Sequence, residues 1–352
     1  MGKNRKYMRG AVLCSVSKPL QIMDEIEIPE LRKGQVLVKN AYSGICRSQL
    51  MEVRGLRGDD KFLPHLTGHE GCGQVIEVGE SVTKVKKGDW VILGWIKSSG
   101  LDVPGPTYKC RDMIINSGPV TTFSEFSVVS ENRVVKLPSG VPKDIGVLFG
   151  CALPTGAGLV LNEINPKKKS SIAIVGLGGV GLSSLMAVKT LDCDPVIAID
   201  ISDDKLDMAT RFGATHVINS SENDAISIVM DITEGKGVDY SIEAAGQTST
   251  IELAFEILNK SSGQCVFASH PPEGDKISLN PHHLISGRTI KGSWGGESKP
   301  DKDIPKLAKF YKNGLLPLET LVTKKYSLDD INKALDDLEN FKVYRPIISF
   351  GD

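Results

Sequence analysis

Short apolar runs with polar or glycine breaks mark the first 150 positions. Gln35-Val36-Leu37-Val38-Lys39, Gln74-Val75-Ile76-Glu77-Val78 and Trp90-Val91-Ile92-Leu93 each read as a strand. Glu30–Gly34 and Lys87-Gly88-Asp89 punctuate them. Many short strands at this spacing predict a partly open β-barrel. From about residue 155 the pattern changes to strands alternating with helices. Ile172–Val175 is an apolar strand, followed by a glycine turn and an apolar helix through Leu191, then a second strand, Val196–Ile199. Asp203–Phe212 reads as a helix stopped by Gly213, Val238–Ala244 as a strand, Ser249–Asn259 as a helix and Gly263–Ala268 as a strand. Such alternation predicts an α/β fold with a doubly wound parallel sheet. The last sixty residues hold two helical runs, Ile304–Asn313 and Leu328–Asn340, and a closing strand, Pro346–Phe350, expected to fold back onto the N-terminal part.

The turn itself carries chemistry. Gly176-Leu177-Gly178-Gly179-Val180-Gly181 fits G-x-G-x-x-G between a strand and a helix, and Asp200 follows at the end of the next strand. Glycine turns are common, but this full context is specific for a dinucleotide. Gly176 makes the tight turn, Gly178 lets the backbone approach a pyrophosphate, and Gly181 lets helix and strand pack closely. Free N–H groups at the helix start, from Gly179 on, face the phosphates. Asp200 can accept both ribose hydroxyls and would repel a 2′-phosphate, so the expected cofactor is NAD rather than NADP.

Composition narrows the field. The chain has 352 residues, enough for two domains, with 40% hydrophobic and 24% charged residues. A net charge of −1 offers no electrostatic case for nucleic acid or an anionic membrane. The basic start (Lys3, Arg5, Lys6) has no apolar stretch after it and is not read as a secretory signal. Gly2 does not open a myristoylation motif, because position 6 is Lys. No apolar run reaches the length of a membrane span. Seven widely spaced cysteines are read as reduced thiols, and a cytoplasmic location is expected.

The N-terminal half also holds Gly44-Ile45-Cys46-Arg47-Ser48 and Gly68-His69-Glu70, and Gly150-Cys151 enters the nucleotide segment. One His and two Cys suit a reactive zinc, which keeps a coordination position open. Spacing alone does not pick these three from seven cysteines and six histidines. A single Cys is by default a small buried hydrophobe.

Over nearly its whole length the chain resembles the medium-chain, zinc-dependent alcohol dehydrogenases. The motifs that carry the resemblance are Gly44–Ser48, Gly68-His69-Glu70, Cys151 followed by Thr155-Gly156, Gly176–Gly181, Asp200 with Lys205, Ser286-Gly287-Arg288-Thr289 and Arg345. The resemblance implies a GroES-like catalytic domain over 1–154, completed by 294–352, and a Rossmann NAD-binding domain over 155–293. It implies zinc on Cys46, His69 and Cys151, Ser48 taking the alcohol's proton, and Glu70 behind the metal. Arg47 and Arg345 would grip the pyrophosphate, Thr155, Gly179 and Val180 would touch the cofactor, and Trp95 and Phe123 would line the substrate pocket. The implied reaction moves a hydride between a primary or secondary alcohol and NAD, in a homo-oligomer, dimer or tetramer.

Three departures stand out. Relatives with a second zinc hold it on four cysteines near residues 95–110, where this chain has only Cys110, so one zinc and no structural zinc are expected. Met51 stands where some relatives place a proton-handling histidine. Gln49 replaces an Asp, and a neutral amide polarises a histidine ligand less than a carboxylate. His270 reads either as a surface-loop histidine or as a polar contact to substrate, and it is the residue, with the altered loop, that supports a polyol or sugar dehydrogenase as the alternative. A non-catalytic NAD-binding protein is the alternative of another class. Trp294 is read as interdomain packing or a cofactor contact, His65 as a loop residue, His282-His283 as a helix start, and Asp329–Asp337 as a solvated helix face.

Overall fold

The computed structural model describes residues 7–351; Gly2, Lys3, Arg5 and Lys6 of the basic start lie outside the described residues. The chain divides into two compact units. One runs to Cys151 and resumes at Lys299; the other is Ala152–Ser298.

The first unit is β-rich. Seven strands form one sheet in the order Val134–Lys136, Trp90–Gly94, Glu70–Val78, Gln35–Gly44, Pro346–Ser349 and Lys324–Tyr326, with Phe126–Ser130 also paired to Gln35–Gly44. A five-stranded sheet holds His65–Leu66, Tyr7–Leu13, Gln21–Glu27, Tyr108–Cys110 and Met113–Ile115. Val36, Val38, Val75, Val91, Leu93 and Val129 meet in one core cluster. The β-branched valines among them suit a pleated surface. The closing strand pairs antiparallel with the end of Gln35–Gly44, Ile347 opposite Gly44.

The second unit is a six-stranded sheet, parallel throughout. Its order is His216–Asn219, Val196–Asp200, Ile172–Val175, Tyr240–Glu243, Gln264–Phe267 and Thr289–Gly292. Numbered along the chain this is 3-2-1-4-5-6, the dinucleotide-binding order. Every residue of Ile172–Val175 is buried, as expected of a central parallel strand covered on both faces. The hydrophobic pattern assigns no element to 214–235. That stretch contains the short strand His216–Asn219 and the helix Ala225–Ile232, whose N-cap Asp224 accepts from the N–H groups of Ile226 (3.1 Å) and Ser227 (3.3 Å). An aspartate ahead of an apolar run is the signal that marks such a helix start.

The structure corrects two sequence readings. His65 is no loop residue: it sits in a short strand paired with Leu13, is 6% exposed, and meets Asp60 at 2.7 Å. The run Asp329–Asp337 is not wholly solvated either. Asp337 is buried, accepts from Tyr326 Oη (2.8 Å) and Lys333 Nζ (2.7 Å), and these donors pull its carboxyl down to about 2.

The loop 97–107 hangs on a carboxylate. Glu131, 2% exposed, accepts from the backbone N–H groups of Thr83 (2.6 Å), Lys84 (2.7 Å) and Leu101 (3.0 Å). Lys84 Nζ reaches Asp301 and Ser98 Oγ, both at 2.5 Å, and Asp301 accepts from the Ser99 N–H (2.7 Å). Burial works against the charge of Glu131, but the three N–H donors outweigh it and hold the carboxyl below its ordinary value. Glu131→Ala is expected to cost about 3 kcal/mol in chemical denaturation, because three N–H groups lose a charged acceptor. The folded carboxyl ionises at lower pH than the unfolded one. Its contribution is therefore complete above the ordinary carboxylate value and disappears as pH falls through the depressed one. The stability gap between wild type and Glu131→Ala should close in acid.

Candidate functional site

Strand pairing brings three distant segments together in the first unit. Ser43 pairs with Gly71, so Cys46, three residues past Ser43, lies beside His69 and Glu70. Glu70 pairs with Gly94, which places Trp95 next to His69, their ring centroids 6.5 Å apart and edge-on. Gly94 in turn packs on Gly150: a Cβ on Gly94 would stand 2.8 Å from the Gly150 carbonyl oxygen. Cys151 is thereby delivered to the same place. Gly68, at φ +89°, turns the chain into His69, and a Cβ there would meet Thr122 Oγ1 at 2.6 Å.

The result is a compact donor set. Single ligand atoms of Cys46, His69, Glu70 and Cys151 all lie within 4.8 Å of one another. His69 Nε2 is 3.2 Å from Cys151 Sγ. The nearness of Cys151 pushes the Cys46 thiol well below its usual value, and Cys46 and burial hold Cys151 well above. A cation bound by both sulfurs would displace the remaining thiol proton.

Charge behind the sulfurs is organised by one ion pair. Glu70 is fully buried, its Oε1 accepts from Arg345 Nη2, and its Oε2 has no hydrogen-bond partner among the described residues. Burial raises the Glu70 carboxyl, opposed by Arg345. Burial disfavours the Arg345 charge, but Glu70, Cys46 and Cys151 outweigh it and raise its value. Arg345 is 4% exposed and its guanidinium is engaged by Glu70. A dication added to two thiolates, one carboxylate and one guanidinium leaves a neutral cluster, which is what a buried site requires. The unpartnered Glu70 oxygen and the Cys₂His donors both fit zinc.

Cys46 caps the helix Arg47–Val53, and its N–H donates to Gln49 Oε1 (3.0 Å). The amide nitrogen of Gln49 meets His69 Nδ1. Metal binding through Nε2 puts the proton on Nδ1 and asks for an acceptor there, so the single oxygen of Gln49 would have to turn toward His69 while still serving the Cys46 N–H. A carboxylate has oxygens for both, so Gln49→Asp is expected to hold zinc about 10-fold more tightly in chelator competition.

Ser48 lies in the first turn of that helix, its Oγ shielded and without a hydrogen-bond partner among the described residues. Arg47 is exposed, with its guanidinium carbon 5.9 Å from the centroid of the Phe341 ring. Phe123 departs from the expected pocket role. It is 0% exposed in a core cluster with Leu13, Ile45 and Leu50.

In the second unit the glycine turn has the geometry its residues dictate. Gly176 adopts φ +89°, and a Cβ on Gly181 would stand 1.9 Å from the Gly176 carbonyl oxygen. Around a Cβ on Gly178 there is nothing within 4 Å, so the open cradle a pyrophosphate needs is present. Helix Ala152–Gly158 packs on Gly179–Val188, and Thr155 Oγ1 on it is buried without a partner among the described residues. Val180 is half-buried. Asp200 is only 7% exposed. It accepts from the N–H groups of Leu177 (2.6 Å), Ile201 (2.9 Å) and Ser202 (3.1 Å), with Lys205 Nζ at 3.3 Å. Three backbone N–H groups and the Lys205 ammonium thus already share this carboxylate, and a ribose hydroxyl would join them there. His270 is exposed and stacks edge-on against the 70%-exposed Trp294, centroids 5.6 Å apart. His282 and His283 open the helix Pro281–Ile285, as the sequence predicts.

Comparison with known proteins agrees with both units. The family model for the alcohol dehydrogenase GroES-like domain matches residues 32–139, and that for zinc-binding dehydrogenases matches residues 179–313. An S-(hydroxymethyl)glutathione dehydrogenase from Escherichia coli (strain SMS-3-5 / SECEC) is 33% identical, over 97% of this chain and 99% of its own. Its counterpart from Paracoccus denitrificans is 29% identical over the same shares. Among solved structures, benzyl alcohol dehydrogenase from Acinetobacter calcoaceticus superposes with TM-score 0.88 at 27% identity, over 98% of this chain and 99% of that one. With both family models matched and a relative 33% identical along nearly its whole length, the chain belongs to the zinc-dependent alcohol dehydrogenases of the medium-chain dehydrogenase/reductase superfamily, oxidoreductases that move a hydride between an alcohol and NAD.

Proposed function

We propose that Cys46, His69 and Cys151 hold a single zinc ion per chain, and that NAD binds along Gly176–Gly181. The observation that carries this is the meeting of two sulfurs, an imidazole and a half-satisfied carboxylate within 4.8 Å. Zinc supplies a Lewis acid at that point and NAD a hydride acceptor. Ser48 Oγ takes the hydroxyl proton of the alcohol. Glu70, held by Arg345, balances the cluster's charge from behind. In the second unit the N–H groups at the start of Gly179–Val188 face the pyrophosphate, Thr155 and Val180 position the cofactor, and Asp200 with Lys205 holds its ribose. Arg47, exposed at the head of its helix, offers charge to the phosphates.

The product is an aldehyde or ketone, and Trp95, edge-on to His69, offers an apolar wall to the substrate. Relatives named for S-(hydroxymethyl)glutathione and benzyl alcohol make primary alcohols the first class to assay. His270, which spoke for a polyol substrate, stacks instead on Trp294. Among the described residues the strand Thr289–Gly292 has a neighbour on one side only, and exposed Leu284 and Ile285 precede it, which supports a homo-oligomer built on that edge. Seven free thiols fit a reducing cytoplasm, and among the described residues no single helix is long and apolar enough to cross a membrane. Metal analysis with NADH formation over an alcohol panel tests the reading. One zinc per chain and turnover of primary alcohols are expected; two zinc ions, or activity without any, would overturn it.

A further inference from the structure

A proton left on Ser48 needs a way out, because Ser48 Oγ is shielded from solvent. Met51 on the same helix is 8% exposed and carries no titratable group. Glu52 does. Ser48 and Glu52 are four residues apart in Arg47–Val53, so they share one face, a single turn apart. Beyond Glu52 the chain places two more proton-carrying groups. Single atoms of Glu52, Asp60 and His65 lie within 4.8 Å of one another. His65 is fixed at both ring nitrogens, Nδ1 against the Leu66 carbonyl (2.9 Å) and Nε2 against Asp60 Oδ2 (2.7 Å). Exposure rises outward, from 8% for the His65 side chain to 14% for Asp60, and the next two residues, Lys61 and Phe62, are exposed.

We propose that Ser48, Glu52 and the Asp60–His65 pair form the proton exit of the reactive site. The proposal rests on the reading of Ser48 as the group that takes the alcohol's proton. As the hydride leaves for NAD, the alcohol O–H bond breaks and a new O–H forms on Ser48. The proton Ser48 held before passes to the Glu52 carboxylate across one water. The Glu52 O–H then breaks as the proton moves to the Asp60–His65 pair and on to bulk water. No oxidant beyond NAD is needed. The electrostatics agree. Burial raises the Glu52 carboxyl and Asp60 adds to this, while His65, Arg57 and His69 oppose it. A carboxyl moved toward the working pH takes up and releases a proton readily.

The test is single-turnover NADH formation by zinc-loaded enzyme with NAD and a primary alcohol, followed across pH and in deuterium oxide. Glu52→Gln is expected to slow the burst about 100-fold near neutral pH and to flatten its pH profile. Zinc content and NAD affinity should not change, added formate should restore part of the rate, and Glu52→Asp should retain most of it. An unchanged pH profile and isotope effect in Glu52→Gln would overturn the relay, as would a loss of zinc, which would make Glu52 a support of the metal cluster. If Glu52→Gln does not fold, Asp60→Asn takes its place: a slowed burst with a flattened profile supports the relay, and an unchanged profile overturns it. Ser48→Ala separates the layers: wild-type rate in that variant would sink the reading of Ser48 itself.

Discussion

Cys151→Ser should lose its zinc and more than about 1,000-fold of kcat/KM. A bound dication contributes several kcal/mol to stabilising negative charge on the reacting oxygen, and each 1.4 kcal/mol is a factor of ten. Serine at neutral pH offers a neutral hydroxyl where the site is built for a thiolate. The change also removes one negative charge from a cluster whose remaining members are Cys46, Glu70 and Arg345, so the dication no longer meets a matched set. The fold should survive, since Cys151 Sγ is small and sits at the end of the first unit rather than within a sheet. Metal content by mass spectrometry, NADH formation and thermal unfolding measured on one preparation decide the matter. Full activity in zinc-free Cys151→Ser would remove the metal from the reaction.

Asp200→Ala should lower the preference for NAD over NADP by about 100-fold. A hydrogen bond to a charged group contributes about 1.5–3 kcal/mol, and loss of the carboxylate also lifts the repulsion of a 2′-phosphate. The structure adds a second consequence. Because Asp200 ties down the Leu177 N–H at 2.6 Å, Ala also loosens the glycine turn, and the affinity for both cofactors should fall. Asp200→Asn keeps one carbonyl acceptor for that N–H. It should retain more of the NADP activity while still losing the NAD preference. Measured kcat/KM with each cofactor separates the two effects. A ratio unchanged in both variants would show that the acid serves the turn alone.

How far the chain can be read without coordinates depends on the range of the interactions involved. The glycine turn is legible because its parts lie within thirty residues and each answers to a local constraint: a positive φ at Gly176, a 1.9 Å clash at Gly181, an open cradle at Gly178. The helix Ala225–Ile232 escapes the hydrophobic pattern although Asp224 caps it. The three ligands are another matter. Nothing in spacing separates Cys46 and Cys151 from Cys72 or Cys265, which are buried hydrophobes whose thiols burial pushes up to about 12. Resemblance selects them, and only the Ser43–Gly71 and Glu70–Gly94 pairings explain why they meet. Resemblance also carries Phe123 to a pocket wall, where packing puts it in the core.

By itself the sequence determined the class of fold, the alternation that makes a parallel sheet and the turn that takes a dinucleotide, because backbone sterics and hydrophobic period act between near neighbours. Tertiary structure alone decided that Arg345 backs Glu70, that Glu131 pins the loop 97–107, and that Asp60 and His65 stand beyond Glu52. These are contacts between side chains on separate elements, made only once strands have paired. Their strength comes from burial, a property no single residue carries until the chain has closed around it.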